Sequence, residues 1–279
     1  MTLSRTSGTR LVALLGDPVR HSLSPTFQNA AFHAAELDAI YVALRCDAAD
    51  VPGLIAGLAR AGGAGNVTVP HKRVAARAVE RATAAVERTG ACNTFWLESG
   101  VVCGDNTDVV GFGRAVEDLL GGPPRGARVL LIGAGGAAGA ALCSLLDEQA
   151  EEVLILNRTH AKARALAERF AGSTTRIHIA EDLEASDAGN FDLAVNATSL
   201  GLRPDDPLPM EIDARVTADA VLDMVYSPRR TRWVREHLAR GTRASDGLEM
   251  LLHQGAAAFE RWWGIPAPIP VMRAALPPR

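Results

Sequence analysis

The sequence predicts an α/β fold in two domains, and three observations carry that prediction. Short apolar runs alternate with helix-spaced patterns along the 279 residues, the signature of strands joined by crossover helices. A glycine-rich loop, Gly133 to Ala138, sits between an apolar strand pattern and a charge-free helical one. Gly121-Gly122-Pro123-Pro124 breaks the chain near its middle, and the length suits two domains of ordinary size.

The elements follow in order. Leu11–Leu15 reads as a strand. Ser24-Pro25 opens a helix, with Ser24 as N-cap and Pro25 at the first helical position, and Phe27, Ala30, Ala31, Ala34 and Leu37 recur behind it at helical spacing. Ile40–Leu44 is a strand, Val51–Ala61 a helix and Asn66–Val69 a short strand ended by Pro70, which cannot donate to a ladder. Thr94–Leu97 and Val101–Cys103 flank Glu98-Ser99-Gly100 as a hairpin. A helix runs from Thr107-Asp108 to Leu120. The second half reads as strand Arg128–Ile132, helix Ala137–Leu146, strand Val153–Leu156, helix Ala161–Phe170 and strand Arg176–Ile179. Strands at Asp192–Val195 and Ala220–Met224 follow, then a helix after Ser227-Pro228. The proline-rich tail from Gly264 docks as an irregular or short helical end.

Bulk composition excludes several classes. With 48% hydrophobic and 22% charged residues the chain can bury a core, and a net charge of −3 lacks the basic excess of a nucleic-acid binder. Cys46, Cys92, Cys103 and Cys143 form no CxxC pair and read as buried hydrophobes in a reducing compartment, with no metal site. The opening residues show no secretory pattern. Val129–Leu146 is uncharged over about the length of a membrane span, but its glycine-rich middle fits a strand, tight loop and buried helix better. The expectation is a cytoplasmic protein with neither membrane nor nucleic-acid partner.

Gly133-Ala134-Gly135-Gly136-Ala137-Ala138 fits G-x-G-x-x-A in the strand–loop–helix setting that this motif requires. Glycines there allow a tight turn and let backbone N–H groups approach a pyrophosphate at a helix N-terminus. At the end of the next strand, where an NAD site has an acidic residue for the ribose 2′-OH, stand Asn157-Arg158-Thr159, with Lys162 a turn later. Arg158 and Lys162 would pair with a 2′-phosphate, so NADP is favoured over NAD.

Polar motifs also collect at strand ends and helix starts, where ligands bind in α/β sheets. Singly, each has an ordinary reading: Ser24 as a cap, Asn93 and Asn106 as turn residues, Asp108 as a first-turn acid. Together with the cofactor segments they form an ordered series: GDPVRHSLSP (Gly16–Pro25), NVTVPHK (Asn66–Lys72), GACNT (Gly90–Thr94), GDNTDVVGF (Gly104–Phe112), GAGGAA, NRTHAKA, NATSLG (Asn196–Gly201), DMVYSP (Asp223–Pro228) and DGLEMLLHQ (Asp246–Gln254). This series resembles the shikimate dehydrogenase family over almost the whole chain.

The resemblance implies a substrate domain of residues 1–107 completed by 247–279, so that the C-terminal helices return to it. Residues 108–246 would form a Rossmann-type NADP domain. It implies Lys72 and Asp108 as the catalytic pair, Ser22 and Ser24 on the substrate carboxylate with help from Tyr226, and Thr68, Asn93 and Gln254 on its hydroxyls alongside the catalytic pair. The cofactor set extends from Gly133, Ala134, Gly135, Gly136, Ala137, Asn157, Arg158, Thr159 and Lys162 to Thr198, Met224 and Gly247. Gln28 stands where the family often has histidine, and Lys162 where arginine is also common; neither alters the chemistry.

The implied reaction is the reversible NADPH-dependent reduction of 3-dehydroshikimate to shikimate, by a monomer or homodimer. Lys72 would donate the proton to the carbonyl oxygen as hydride arrives, and Asp108 would hold the reacting hydroxyl and orient Lys72. Alternatives are a quinate/shikimate or aminoshikimate dehydrogenase, against which Ser22 and Arg158 argue, and a non-catalytic shikimate-binding sensor, against which Lys72 and Asp108 argue. Three features are set aside. The basic run Arg229–Arg235 reads as a solvated face with Trp233 and Val234 packed inward, Trp262-Trp263 as a packing anchor, and His21, His71 and His253 as residues without an assigned role.

Overall fold

The structure is a computed structural model and describes residues 8–180, 189–203, 205–210 and 217–278. The chain divides into two compact units. One runs through Thr107 and resumes at Gly255–Pro278, and the other spans Asp108–Gln254.

In the first unit, β1 (Arg10–Gly16), α1 (Ser24–Ala34), β2 (Ala39–Arg45), α2 (Val51–Arg60) and β3 (Ala64–Val67) build a parallel βαβαβ core. The chain then adds α3 (Lys72–Ala78), β4 (Arg81–Ala82), α4 (Ala84–Thr89) and the hairpin β5 (Thr94–Glu98) and β6 (Val101–Asp105). The sheet order is β2-β1-β3-β5-β6-β4, with β3–β5 and β5–β6 antiparallel. Ala13, Leu15, Val67 and Phe95 pack with Ile55 and Ala59 of α2 in a fully buried cluster. Because β2 lies on one side of β1 and β3 on the other, the carboxyl ends of β1 and β3 form a topological switch point, the usual ligand crevice of open α/β sheets.

In the second unit, α5 (Asp108–Leu120) leads to β7 (Arg128–Ile132), α6 (Gly136–Asp147), β8 (Glu152–Leu156), α7 (His160–Arg169) and β9 (Arg176–Ala180). Then come β10 (Asn190–Asn196), β11 (Thr217–Asp223), α8 (Arg232–Ala239), β12 (Arg243–Ser245) and α9 (Leu248–Trp263). Among the described residues all pairings are parallel, in the order β12-β11-β10-β7-β8-β9. That is the doubly wound dinucleotide-binding order, with its switch point between β7 and β10. Val129, Leu130, Leu131, Leu193 and Val221 are wholly buried, as both-face-covered parallel strands require. The uncharged 129–146 stretch is therefore strand, loop and buried helix, and among the described residues no helix is long and apolar enough to cross a membrane. The second half of α9 and the short α10 (Ile269–Ala274) belong with the first unit.

Several local expectations are corrected. Ser24 is not the N-cap of α1: that position is Leu23, already helical and with no capping side chain of its own, and Ser24 is the first helical residue. The helix stops at Ala34 short of Leu37, because Glu36 turns the chain with a positive φ of 53°. β3 ends at Val67, leaving Val69 61% exposed on the way to Pro70. The helix expected after Ser227-Pro228 begins at Arg232, where the Thr231 hydroxyl accepts from Val234 N and caps it. Trp233 and Val234 are buried as expected, with Arg229, Arg230, Arg232 and Arg235 exposed. The tryptophan pair anchors the first unit. Trp262 Nε1 donates to Thr94 Oγ1 at 2.9 Å, and Trp263 meets Phe32 edge-on at 5.5 Å beneath the Arg10 guanidinium.

Candidate active site

The first unit gathers its candidates at the β1/β3 switch point. β1 ends at Gly16, where a Cβ would lie 2.3 Å from Thr68 Cγ2 and 3.1 Å from Val69 O, so a larger residue there would push against the Thr68 side chain. Thr68 is fixed by its N–H on Leu15 O at 2.8 Å, and its own carbonyl accepts from His71 N at 2.9 Å. That turn delivers Lys72 as the first residue of α3, half-buried, with its carbonyl accepting from Cys92 N at 2.9 Å. Lys72 thus leaves the sheet in a helical turn, anchored to the GACNT segment, rather than on a strand. Ser22 and Ser24 follow β1, and the Ser22 hydroxyl accepts from Ser24 N at 3.2 Å, satisfying an orphan N–H at the helix start.

Asn93 is 2% exposed and clasps Thr107 in both directions. Its Nδ2 donates to Thr107 Oγ1 at 3.0 Å, and its Oδ1 accepts from Thr107 N at 2.8 Å and from Thr107 Oγ1 at 3.1 Å. Its carbonyl accepts from Val67 N and from Asn66 Nδ2 at 3.0 Å. Asn66 Oδ1 in turn accepts from the Tyr41 hydroxyl at 2.8 Å, with the Ser24 side chain beside that hydroxyl. Burial pushes the Tyr41 phenol well above its usual range, so it stays a neutral donor. Sequence reasoning missed Tyr41, whose strand position looked like ordinary core. A phenol among apolar neighbours, which needs a partner when buried, was the available signal.

The buried histidines His71 and His253 are each held through one ring nitrogen. His71 Nε2 bonds Cys46 O at 2.9 Å, and His253 Nε2 bonds Asp118 Oδ2 at 2.8 Å. Asp118, Glu249 and His253 bring one donor atom each within 4.8 Å of one another. All four cysteines are free and buried, and burial pushes the Cys92 thiol up to about 12, which leaves it unreactive.

The second unit holds the remaining candidates. Asp108, 7% exposed, is the first residue of α5. Tyr226, half-buried, lies in the loop after β11, and Gln254, half-buried, lies on α9. Of the candidate cofactor residues, Gly133–Ala137 and Thr198 lie at the β7/β10 switch point. Gly133 has a φ of 115°, and a Cβ on it would lie 2.9 Å from Ala197 O and 3.1 Å from Thr198 Cγ2. Glycine is therefore required for the loops after β7 and β10 to meet. Gly135 and Gly136 have nothing within 4 Å of a notional Cβ, so the backbone at the start of α6 is open to an approaching group. An open backbone ahead of a long buried helix suits a pyrophosphate.

Asn157, Arg158 and Thr159 follow β8, and the Asn157 amide donates to Thr159 O at 2.8 Å. Arg158 and Lys162 are exposed, with no acidic side chain among Asn157, Thr159 and His160. The donor set therefore fits a cofactor bearing a 2′-phosphate.

Residues 14–95 match the family described as "Shikimate dehydrogenase substrate binding domain", residues 117–201 match "Shikimate / quinate 5-dehydrogenase", and residues 247–276 match "Shikimate 5'-dehydrogenase C-terminal domain". The chain is 39% identical to a Geobacter metallireducens protein named shikimate dehydrogenase (NADP(+)), over 96% of both chains. The chain belongs to the shikimate dehydrogenase family. A Halobacterium salinarum relative of the same name is 43% identical over 94% of this chain and 97% of its own. The crystal structure of shikimate 5-dehydrogenase from Thermus thermophilus, in complex with NADP(H) and shikimate, superposes with a TM-score of 0.80 at 34% identity. The match covers 95% of this chain and 99% of that one. For this shikimate dehydrogenase family member, the two-domain α/β expectation and the family resemblance both hold.

Proposed function

We propose that this chain interconverts 3-dehydroshikimate and shikimate with NADPH and NADP, the first unit serving as substrate domain and the second as cofactor domain. The observation that carries the reading is the content of the two switch points. One holds a lysine, two serines and a threonine, which suit a polyhydroxylated carboxylate. The other holds an open glycine cradle, flanked at the next strand end by Arg158 and Lys162.

Bound NADPH supplies the hydride, which no side chain can. The carbonyl oxygen that gains charge takes a proton from the Lys72 ammonium, and in the reverse direction the Lys72 amine takes it back. Asp108 accepts a hydrogen bond from the reacting hydroxyl. Ser22 and Ser24 hold the carboxylate with Tyr226, and Thr68, Asn93 and Gln254 bind the ring hydroxyls. In the second unit, Gly133, Ala134, Gly135, Gly136 and Ala137 cradle the pyrophosphate, Arg158 and Lys162 with Asn157 and Thr159 hold the 2′-phosphate ribose, and Thr198, Met224 and Gly247 line the rest of the cofactor.

The test follows nicotinamide absorbance near ~340 nm with shikimate or quinate, each with NADP or NAD. Turnover with shikimate and NADP is expected to dominate. Signal with quinate or NAD of equal size would move the assignment to the catabolic relatives, and silence from protein that still binds shikimate would leave a sensor. Lys72→Ala and Asp108→Ala are each expected to lower kcat by roughly 100- to 10,000-fold with smaller changes in shikimate KM. Arg158→Ala is expected to raise KM for NADP about tenfold and leave NAD nearly unchanged.

A further inference from the structure

Thr198 and Met224 lie on the loops after β10 and β11, Gly247 on the turn into α9, and one buried carboxylate ties this backbone together. Asp223, the last residue of β11, has no solvent exposure. Its Oδ1 accepts from Asn196 Nδ2 at 2.8 Å and from Val225 N at 3.0 Å, and its Oδ2 accepts from the Thr231 hydroxyl at 2.6 Å. Asn196, also wholly buried, spends the rest of its amide on its own loop. Its Oδ1 accepts from Thr198 N at 3.0 Å and from Thr198 Oγ1 at 2.7 Å, and its Nδ2 also donates to Leu200 O at 3.0 Å. The backbone adds Met224 N on Asn196 O at 2.9 Å and Gly247 N on Val225 O at 3.1 Å. A Cβ on Gly247 would lie 2.3 Å from Met224 O, so the α9 turn presses directly on this loop.

Thr198, Met224 and Gly247 are thus held by one set of bonds whose centre never reaches solvent. A buried carboxylate is costly to keep in an otherwise apolar sheet, and Asp246 nearby makes its ionisation harder still. The strand order shows what this position serves. Arg158 and Lys162 stand after β8, on one side of β7, whereas β10 and β11 lie on the other. A dinucleotide crossing the switch point at Gly133 places its second nucleotide over the Asp223 loops.

Resting on the cofactor reading above, we propose that Asp223 is a positioning residue for the nicotinamide half of the cofactor, setting Thr198, Met224 and Gly247 without touching the ligand. A purely structural role would loosen both halves alike, whereas this role is confined to one.

The test compares dissociation constants of NADPH and of adenosine 2′,5′-bisphosphate, which carries only the Arg158 half, for wild type, Asp223→Asn and Asp223→Ala. Asn keeps one acceptor oxygen and is expected to weaken NADPH about fivefold, and Ala about thirtyfold, with the bisphosphate unchanged for both. Thr231→Val, which deletes the bond to Oδ2 together with the cap on Val234 N, is expected to weaken NADPH about threefold with the bisphosphate unchanged, and carries the test if Asp223→Ala does not fold. Equal weakening of both ligands, or of neither, would overturn the proposal. If wild type binds neither ligand, it is the cofactor reading that fails; if wild type binds both and no variant separates them, only the positioning role fails.

Discussion

Each unit ties its candidate loops with a buried asparagine, but the two knots differ in charge. In the first, Asn93 holds Thr107 through three bonds, and the network continues through Asn66, Tyr41 and Ser24, all neutral groups. In the second, Asn196 holds Thr198 and Leu200 in the same manner but leans on an ionisable carboxylate, Asp223. A neutral knot satisfies buried donors and acceptors at no electrostatic cost. A charged one binds its donors more strongly and carries a desolvation penalty that depends on pH. The same local task therefore has two energetic signatures, and each can be perturbed separately.

The largest effect is expected from Asn93→Ala. It leaves Thr107 N, in a residue only 1% exposed, without its acceptor and empties a well-packed site. Urea unfolding should show a loss of roughly 4 kcal/mol. Because Asn93 and Thr107 carry no titrating group, the loss should be the same at pH 5 and pH 7. A loss that changes with pH would erase the contrast between the knots.

The charged knot is expected to respond to pH by about 3 kcal/mol. Burial first, then Asp246, pushes the Asp223 carboxyl from 3.8 up to about 6 despite the bonds from Thr231, Val225 and Asn196. Its folded-state pKa lies above the unfolded value, so the folded protein binds the extra proton between about pH 4 and pH 6. Stability from this group is complete below about pH 4 and is lost as pH rises through about 6, a span of about 2 units or 3 kcal/mol. Relative to Asp223→Asn, wild type should therefore gain stability as pH falls from 7 to 4. Parallel curves for the two proteins would show that Asp223 does not titrate in this window.

The contrast also marks what was legible in the sequence. The parallel strands of the second unit declare themselves as apolar runs, and the glycine loop declares its turn, because both signals are local. Lys72 and Asp108 stood out through the motifs around them. The short α3, α4 and β4 were not expected: few residues give little periodicity, and their place is set by contacts such as Cys92 N on Lys72 O. Asp223 read only as the first letter of DMVYSP. Its burial and its bond to Asn196, 27 residues away, depend on adjacent parallel strands ending together. Ser24 was misread for a related reason. A serine ahead of proline suggests a cap, but the helix has already begun at Leu23, and the Ser24 side chain lies beside Tyr41 of β2.

The smallest expected effect tests whether the neutral knot reaches the substrate side. Tyr41→Phe removes one hydroxyl, leaves the ring contacts with Phe32 and Trp262 at 6.5 and 6.1 Å, deprives Asn66 Oδ1 of its donor and removes the polar neighbour of the Ser24 side chain. Loss of a single buried hydrogen bond should cost about 1 kcal/mol of stability. If the network sets the Ser24 hydroxyl for the substrate carboxylate, shikimate KM should rise about threefold while kcat and the KM for NADP stay level. The double variant with Ser24→Ala should then lose less than the sum of the two, since contacting residues in one network do not add. Additive losses would confine Tyr41 to packing, and would leave Ser24 oriented by the Ser22 hydroxyl on its N–H alone.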